Sequence, residues 1–197
     1  MARRDRPLLV ALLLVAAIAA PAAAQAPERT TTWRASGEVT YVARDALATW
    51  SGRAPLDQVA LRFDPTDPSA LDLNARVRLA DFDSGNALRD LNARRTVFEV
   101  GEHPEARAHA TADPAAGAPR RVPGGWAVPI EVALTLHGVT VRYTGEAELE
   151  RDGDAWIGTA VLVLSLEAHG MLRPRLFGIV TEDAVRLEVR VRAHPVP

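Results

Sequence analysis

The chain has no cysteine, and all of its basic residues are arginine. Without cysteine there is no disulfide framework, no thiol nucleophile and no lipid anchor built on a cysteine, so the hydrophobic core must stand unaided. The absence of lysine points to a coding bias rather than to a function. A large excess of one sign of charge is also missing, since 23 basic residues face 25 acidic ones. Such a balance leaves no electrostatic footprint for a nucleic acid and no reason to coat an anionic membrane. The apolar run at residues 7–20 is about 14 residues long, short of the roughly 20 that a helix needs to cross a bilayer.

That run belongs to an export signal. Arg3, Arg4 and Arg6 precede it, and Pro21 with the small residues Ala22, Ala23 and Ala24 follows it. The pattern predicts a signal peptide over residues 1–24, cut before Gln25. A cut after Ala26 also satisfies the small-x-small rule but would leave Pro27 beside the scissile bond. Residues 25–197 then form one domain of ordinary size. The removed segment carries three Arg and one Asp, which leaves the exported chain at a net charge of −4.

Beyond the signal, hydrophobicity alternates with a period of two. Over residues 71–79 the odd positions are Leu, Leu, Ala, Val and Leu, against Asp72, Asn74, Arg76 and Arg78. Over residues 185–191 Val185, Leu187, Val189 and Val191 alternate with Arg186, Glu188 and Arg190. Successive strand side chains point to opposite faces, so each segment has one dry and one wet face, as antiparallel sheets allow. Weaker alternation recurs at residues 38–43, 46–53, 58–63, 106–111, 126–135, 139–144, 146–150, 156–168 and 177–180. His137-Gly138 and Arg151–Asp154 are read as turns. Eight to ten strands in one domain predict an all-β sandwich or closed barrel, and closure removes exposed edges. Residues 81–95 break the alternation and predict a short helical segment with its cap at Ser84. Residues 111–125, rich in Pro, Gly and Ala, are read as a loop.

The catalytic inventory is thin, with no HExxH, GxSxG or Gly-rich phosphate loop. His103 and His109 are six apart but separated by Pro104, while Glu99 can approach His103 across a turn. A metal site wants three or four convergent ligands, and the sequence alone assembles none. His137 is read chiefly as a turn residue that bonds its ring to a neighbouring carbonyl. The adjacent Arg89 and Asp90 point in different directions on a helix, leaving a surface pair, a buried brace and a ligand contact all open. The apolar faces are clearer. Leu71/Leu73/Val77/Leu79, Trp126/Val128/Ile130/Val132/Leu134 and Val139/Val141/Tyr143 would line a barrel interior, and Ala106, Ala108 and Ala110 would leave space on one wall. An eight-stranded barrel is near the size that either fills with side chains or holds one ligand. If a cavity is left, its occupant is apolar.

Four blocks carry a family resemblance: residues 61–86 (LRFDPTDPSALDLNARVRLADFDSGN), 84–106 (SGNALRDLNARRTVFEVGEHPEA), 132–143 (VALTLHGVTVRY) and 172–193 (LRPRLFGIVTEDAVRLEVRVRA). Together they resemble the YceI-like family of bacterial periplasmic proteins. The resemblance implies an eight-stranded antiparallel lipocalin-like barrel with a short helical elaboration, secreted to the periplasm and holding a polyisoprenoid in its channel. It leaves a homodimer and a transient contact with a membrane or membrane protein open. The thin inventory of catalytic and ligand residues, for its part, predicts no cofactor, no metal and no catalysis. Arg89, Asp90, Phe98, Leu134, Leu136 and Phe177 fall in the blocks associated with the family's channel, and Trp126, Val128 and Ile130 join them as ligand-binding residues through the alternation. The chain departs from the family pattern at Asn92, where a His is usual, at His103, where a Tyr is usual, and at Leu176, where an Asp is usual. Two alternatives stay open at this stage: a filled-core envelope-stress or interaction module, and an enzyme acting on a small or lipid-like substrate.

Overall fold

The computed structural model describes residues 31–176 and 179–196. The strands in chain order are β1 (Thr31–Arg44), β2 (Thr49–Pro55), β3 (Gln58–Phe63), β4 (Asp72–Arg78), β5 (Glu105–Ala112), β6 (Arg120–Val122), β7 (Gly125–Leu136), β8 (Val139–Asp152), β9 (Ala155–Ser165), β10 (Arg175–Leu176), β11 (Ile179–Val180) and β12 (Ala184–Pro195). Eight of them close a barrel in the order β12-β9-β8-β7-β5-β4-β3-β1, with β1 returning to β12. Every pairing is antiparallel, and the closing ladder runs from Trp33↔Pro195 to Val42↔Arg186. Of the sandwich and the closed barrel that the alternation left open, the closed barrel implied by the family resemblance is the architecture observed. Residues 1–24, read from the sequence as a signal peptide, and Phe177 lie outside the described residues.

The alternation becomes burial directly. On β7, Ile130, Val132, Leu134 and Leu136 are buried while the residues between them are partly exposed. On β12, Val185, Val191 and Ala193 turn inward and the arginines between them turn out. These arginines decorate the outer wall: Arg76 pairs with Asp57 and with Glu105, and Arg78 meets Asp81 at 2.8 Å. Exposed pairs of this kind add little stability each. Tight turns join neighbouring strands. His137 and Gly138 both have positive φ, 52° and 76°, as a two-residue type I′ hairpin turn requires.

Two stretches differ from what the sequence pattern predicts. The segment 111–125 is not loop throughout: Arg120–Val122 forms β6, which pairs back on residues 125–127 of β7. Its Pro and Gly mark the bends between these short strands, a distinction composition does not make. The helix, α1 (Ala87–Asn92), is capped by Asn86, whose side chain accepts from the Arg89 N–H at 3.0 Å. Ser84 is not the cap, because Gly85 turns the chain at φ 72° and the Ser84 hydroxyl goes to Asp90 instead.

The sheet is not evenly closed. β2 and β3 run head to tail along one edge of β1, yet only β3 continues into a ladder with β4. Beside β2 the next chain is the connection after β4, where Arg53 and Asp83 exchange backbone hydrogen bonds of 2.8 and 3.0 Å. That connection holds α1 and one π-helical turn, Ala93–Val97. On the other side, the β8–β9 ladder extends only from Asp152↔Ala155 to Ala147↔Ala160. Above it the two strands part. His169, fully buried in the 3-10 turn Glu167–His169, wedges the gap. Its Nδ1 lies 3.0 Å from the Val139 carbonyl oxygen and its Nε2 3.0 Å from Tyr143 Oη. A carbonyl only accepts, so Nδ1 carries a proton. With a neutral ring, Nε2 then accepts from the Tyr143 hydroxyl, whose oxygen takes the Ser165 N–H at 3.4 Å.

Candidate functional site

The barrel encloses a cavity of about 840 Å³ lined mainly by aliphatic and aromatic side chains, within the usual range for a small-molecule site. Leu73, Ala75 and Val77 supply one wall from β4, and Ile130, Val132, Leu134 and Leu136 another from β7. Ala106, Ala108 and Ala110 line it between them, so the small residues of β5 face open space. A Leu at each would carry enough volume to fill much of this part of the lumen.

One end is sealed by aromatic packing. Phe63 and Trp156 form the floor. Trp33 stacks on Phe63 with ring centroids 4.9 Å apart, and Phe63 meets Trp156 edge-on at 5.6 Å. The Trp33 indole N–H donates to the Phe63 carbonyl at 3.2 Å, so its one polar group is satisfied inside the seal.

The opposite end is a mouth. Tyr41, Trp50, Phe82 and Phe98 line its inner ring, with Tyr41 stacked on Phe82 at 4.7 Å and Phe98 edge-on to Phe82 at 4.9 Å. Outside them the exposed polar residues Asn86, Arg89, Asn92 and Arg175 form a rim. Gly52 is required here: a Cβ at this position would lie 2.4 Å from the Tyr41 ring and 2.6 Å from its hydroxyl. Among the described residues the buried Tyr41 hydroxyl has no hydrogen-bond partner. Burial pushes it up to about 12, while the nearby Arg89 guanidinium pulls the other way. The Asp90 carboxylate adds to the rise, and the Ser84 hydroxyl, itself bonded to Asp90 at 2.5 Å, opposes it.

The residues read as ligand-binding separate into three groups. Arg89, Phe98, Ile130, Leu134 and Leu136 line the cavity or its mouth, and Arg89 sits over the Trp50 ring at 5.9 Å. Asp90 does not. It is 6% exposed and accepts from the Ser84 N–H and hydroxyl, which makes it the brace of the pair and leaves Arg89 to the mouth. Trp126 and Val128 belong to the sealed end: Val128 is fully buried in the core cluster, and Trp126 donates to the Pro65 carbonyl at 3.0 Å beneath the Arg121 guanidinium. Phe177 lies outside the described residues. Tyr143, read as lumen-facing, spans the β8–β9 gap instead. Tyr41, Trp50 and Phe82 escaped the sequence reading, because each lies in or beside a segment whose alternation is weak or broken.

A third arrangement stands beside the mouth. Glu99, His103 and His137 each present a ligand-type atom, all within 4.8 Å of one another. The approach of Glu99 to His103 across a turn, expected from the sequence, is found here, whereas His109 lies apart from them near Asp72 at 3.5 Å.

Comparison with known proteins bears on the barrel. Residues 32–193 match the YceI-like domain. Among solved structures, Burkholderia cenocepacia BcnA shares the fold with a TM-score of 0.64 at 17% identity, covering 79% of this chain and 95% of its own. A polyisoprenoid binding domain from Saccharophagus degradans, implicated in plant cell wall breakdown, aligns with a TM-score of 0.61 at 13% identity over 85% and 99% of the two chains. The Campylobacter jejuni YCEI protein aligns with a TM-score of 0.53 at 13% identity over 71% and 81%. No curated protein matches in sequence. From its closed eight-stranded wall, its apolar lumen and a domain match spanning nearly all of the barrel, this chain belongs to the YceI-like family.

Proposed function

We propose that the barrel holds one long apolar lipid, an isoprenoid chain first of all, and carries or buffers it in the periplasm after export. The observation that carries this reading is the lumen itself: about 840 Å³ of apolar-walled space, sealed at Phe63 and Trp156 and rimmed by polar groups at the other end. A prenyl tail needs no directional hydrogen bonds. It gains about 0.8 kcal/mol for each CH₂ taken from water, less the cost of ordering the chain. A polar head left at the mouth would meet Arg89 and Arg175, and the unpartnered Tyr41 hydroxyl offers one donor just inside. The likeness in fold to a polyisoprenoid binding domain supports the same class of occupant. On this reading the protein is a binder and not an enzyme.

Delivery requires the mouth to meet a membrane or another apolar donor. Leu47 and Leu88 are each 77% exposed, next to or among mouth residues, and Leu172 is 76% exposed just before the mouth residues Pro174 and Arg175. Apolar side chains projecting around an apolar opening suit brief contact with a lipid surface.

Mass spectrometry of gently purified protein, before any detergent wash, is expected to find an extractable apolar compound. Ala108→Trp, which fills the lumen from β5, should lower that load at least tenfold while the protein stays folded. Well-folded, ligand-free protein that also fails to take up long prenyl chains would sink the proposal.

A further inference from the structure

We propose that Glu99, His103 and His137 form a binding site for a divalent transition metal of the zinc class, set on the rim of the barrel beside the mouth. The inference does not depend on what the lumen holds. Two imidazoles and a carboxylate are the donor set that such ions prefer, and three protein ligands leave a position for water. Their ligand atoms lie within 4.8 Å of one another, with His137 Nε2 at 2.7 Å from Glu99 Oε2 and the two imidazole rings 4.2 Å apart between centroids. Tetrahedral ligands about 2 Å from zinc stand roughly 3.3 Å apart. Small side-chain rotations therefore convert the present contact into coordination.

The backbone supplies independent support. Among the described residues, the non-glycine residues with positive φ are Glu99 at 48° and His137 at 52°, and both belong to this cluster. That conformation is uncommon for a residue with a side chain and is retained where its surroundings impose it. At His137 the type I′ turn imposes it, yet such turns favour Asn, Asp or Gly, and here the position carries an imidazole. At Glu99 the carbonyl accepts from both the Glu102 and His103 N–H, at 2.8 and 2.9 Å, which folds His103 back over Glu99. Gly138 completes the fit, since a Cβ there would stand 3.3 Å from the His103 ring. The His137 side chain is only 16% exposed while that of Glu99 is 47% exposed, so the cluster is shielded on one side and open to an ion on the other.

A metal here would tie the turn leading into β5 to the β7–β8 hairpin. These segments are separated by more than thirty residues, as the 38-residue span from Glu99 to His137 records. Their neighbours Val97, Phe98 and Leu136 line the lumen, so the tie would also stiffen this side of the mouth.

The test uses the exported chain stripped with a chelator and titrated with Zn²⁺ by calorimetry and with Co²⁺ by visible absorption. One saturable site per chain is expected, with Co²⁺ bands of tetrahedral or five-coordinate intensity and a raised melting temperature when Zn²⁺ is present. His137→Asn keeps a residue suited to the type I′ turn, and His103→Tyr keeps an aromatic ring against Gly138. Each should weaken Zn²⁺ binding at least tenfold and abolish the Co²⁺ bands, with the metal-free melting temperature little changed. His109→Gln serves as the control and should leave binding intact. Absence of saturable binding to the unaltered chain would overturn the proposal. So would binding that survives both variants, which would assign these groups to a hydrogen-bonded brace alone.

Discussion

At the Trp33 end of the barrel the strands are laddered to their neighbours, and three aromatic rings fill the space between them. At the Tyr41 end two of those ladders stop short. There β2 leaves β4, β8 leaves β9, and the openings are filled by α1, the π-helical turn and the His169 wedge. Alternating strands run through both ends, but at the mouth the helical segment 87–97 interrupts them. The difference lies in what completes the wall: backbone hydrogen bonds and packing at one end, side chains and single polar bonds at the other. A sealed base with an adjustable opening follows from that division, because local opening is easiest where few backbone bonds must break.

The largest effect should come from breaking the sealed end. Phe63→Ala removes a 2% exposed ring from between Trp33 and Trp156, and denaturant unfolding should show a loss of about 3–5 kcal/mol. The next contrast sets two half-buried tyrosines at the mouth end against each other. Tyr143→Phe leaves His169 Nε2 and the Ser165 N–H without their partner, and should cost about 1–2 kcal/mol. Tyr41→Phe deletes a hydroxyl that has no partner, and should be neutral or stabilising by the same measurement while weakening the hold on a polar lipid head.

Alkaline titration sharpens that pair. The folded-state ionisation of both tyrosines is raised chiefly by burial, Tyr41 to about 12 from an ordinary 10.0. The unfolded chain therefore releases these protons first, so stability is full below pH 10 and declines as pH rises toward 12. Tyr41→Phe should flatten part of that decline in pH-dependent melting curves. The smallest effect on stability is expected at the rim. Leu47→Glu with Leu88→Glu should change unfolding by no more than about 0.5 kcal/mol, yet reduce association with lipid vesicles several-fold. Equal vesicle binding by the variant and the unaltered chain would remove these leucines from membrane contact.

Much of this was legible in the sequence. The runs at residues 71–79 and 185–191 placed β4 and β12 and their inward faces, and the alanines of β5 marked the wall with room beside it. What alternation reports is which way a side chain points, not how far along the barrel it sits. Trp126, Val128 and Leu134 share a pattern in the sequence, but the first two close the base and the third faces the lumen. Arg89 and Asp90 were legible as a pair facing different ways, and only packing assigned the brace to Asp90, which meets Ser84 six residues earlier across the turn at Gly85. Tyr41 and Trp50 stand in runs of weak alternation and Phe82 in the stretch where alternation breaks, so nothing in the spacing marked the three as neighbours at one end of the barrel.

By itself the sequence determined an antiparallel wall with one wet and one dry face, because a period of two leaves a strand no other way to bury its apolar residues. It also carried the family resemblance that the comparison bears out. Only the tertiary structure decided that the dry face encloses space, that this space is closed at Phe63 and open beside Arg89, and that Glu99, His103 and His137 meet. Those outcomes depend on barrel closure and on where each ladder stops. Both bring together residues far apart in the chain, and neither is written in the spacing of any one segment.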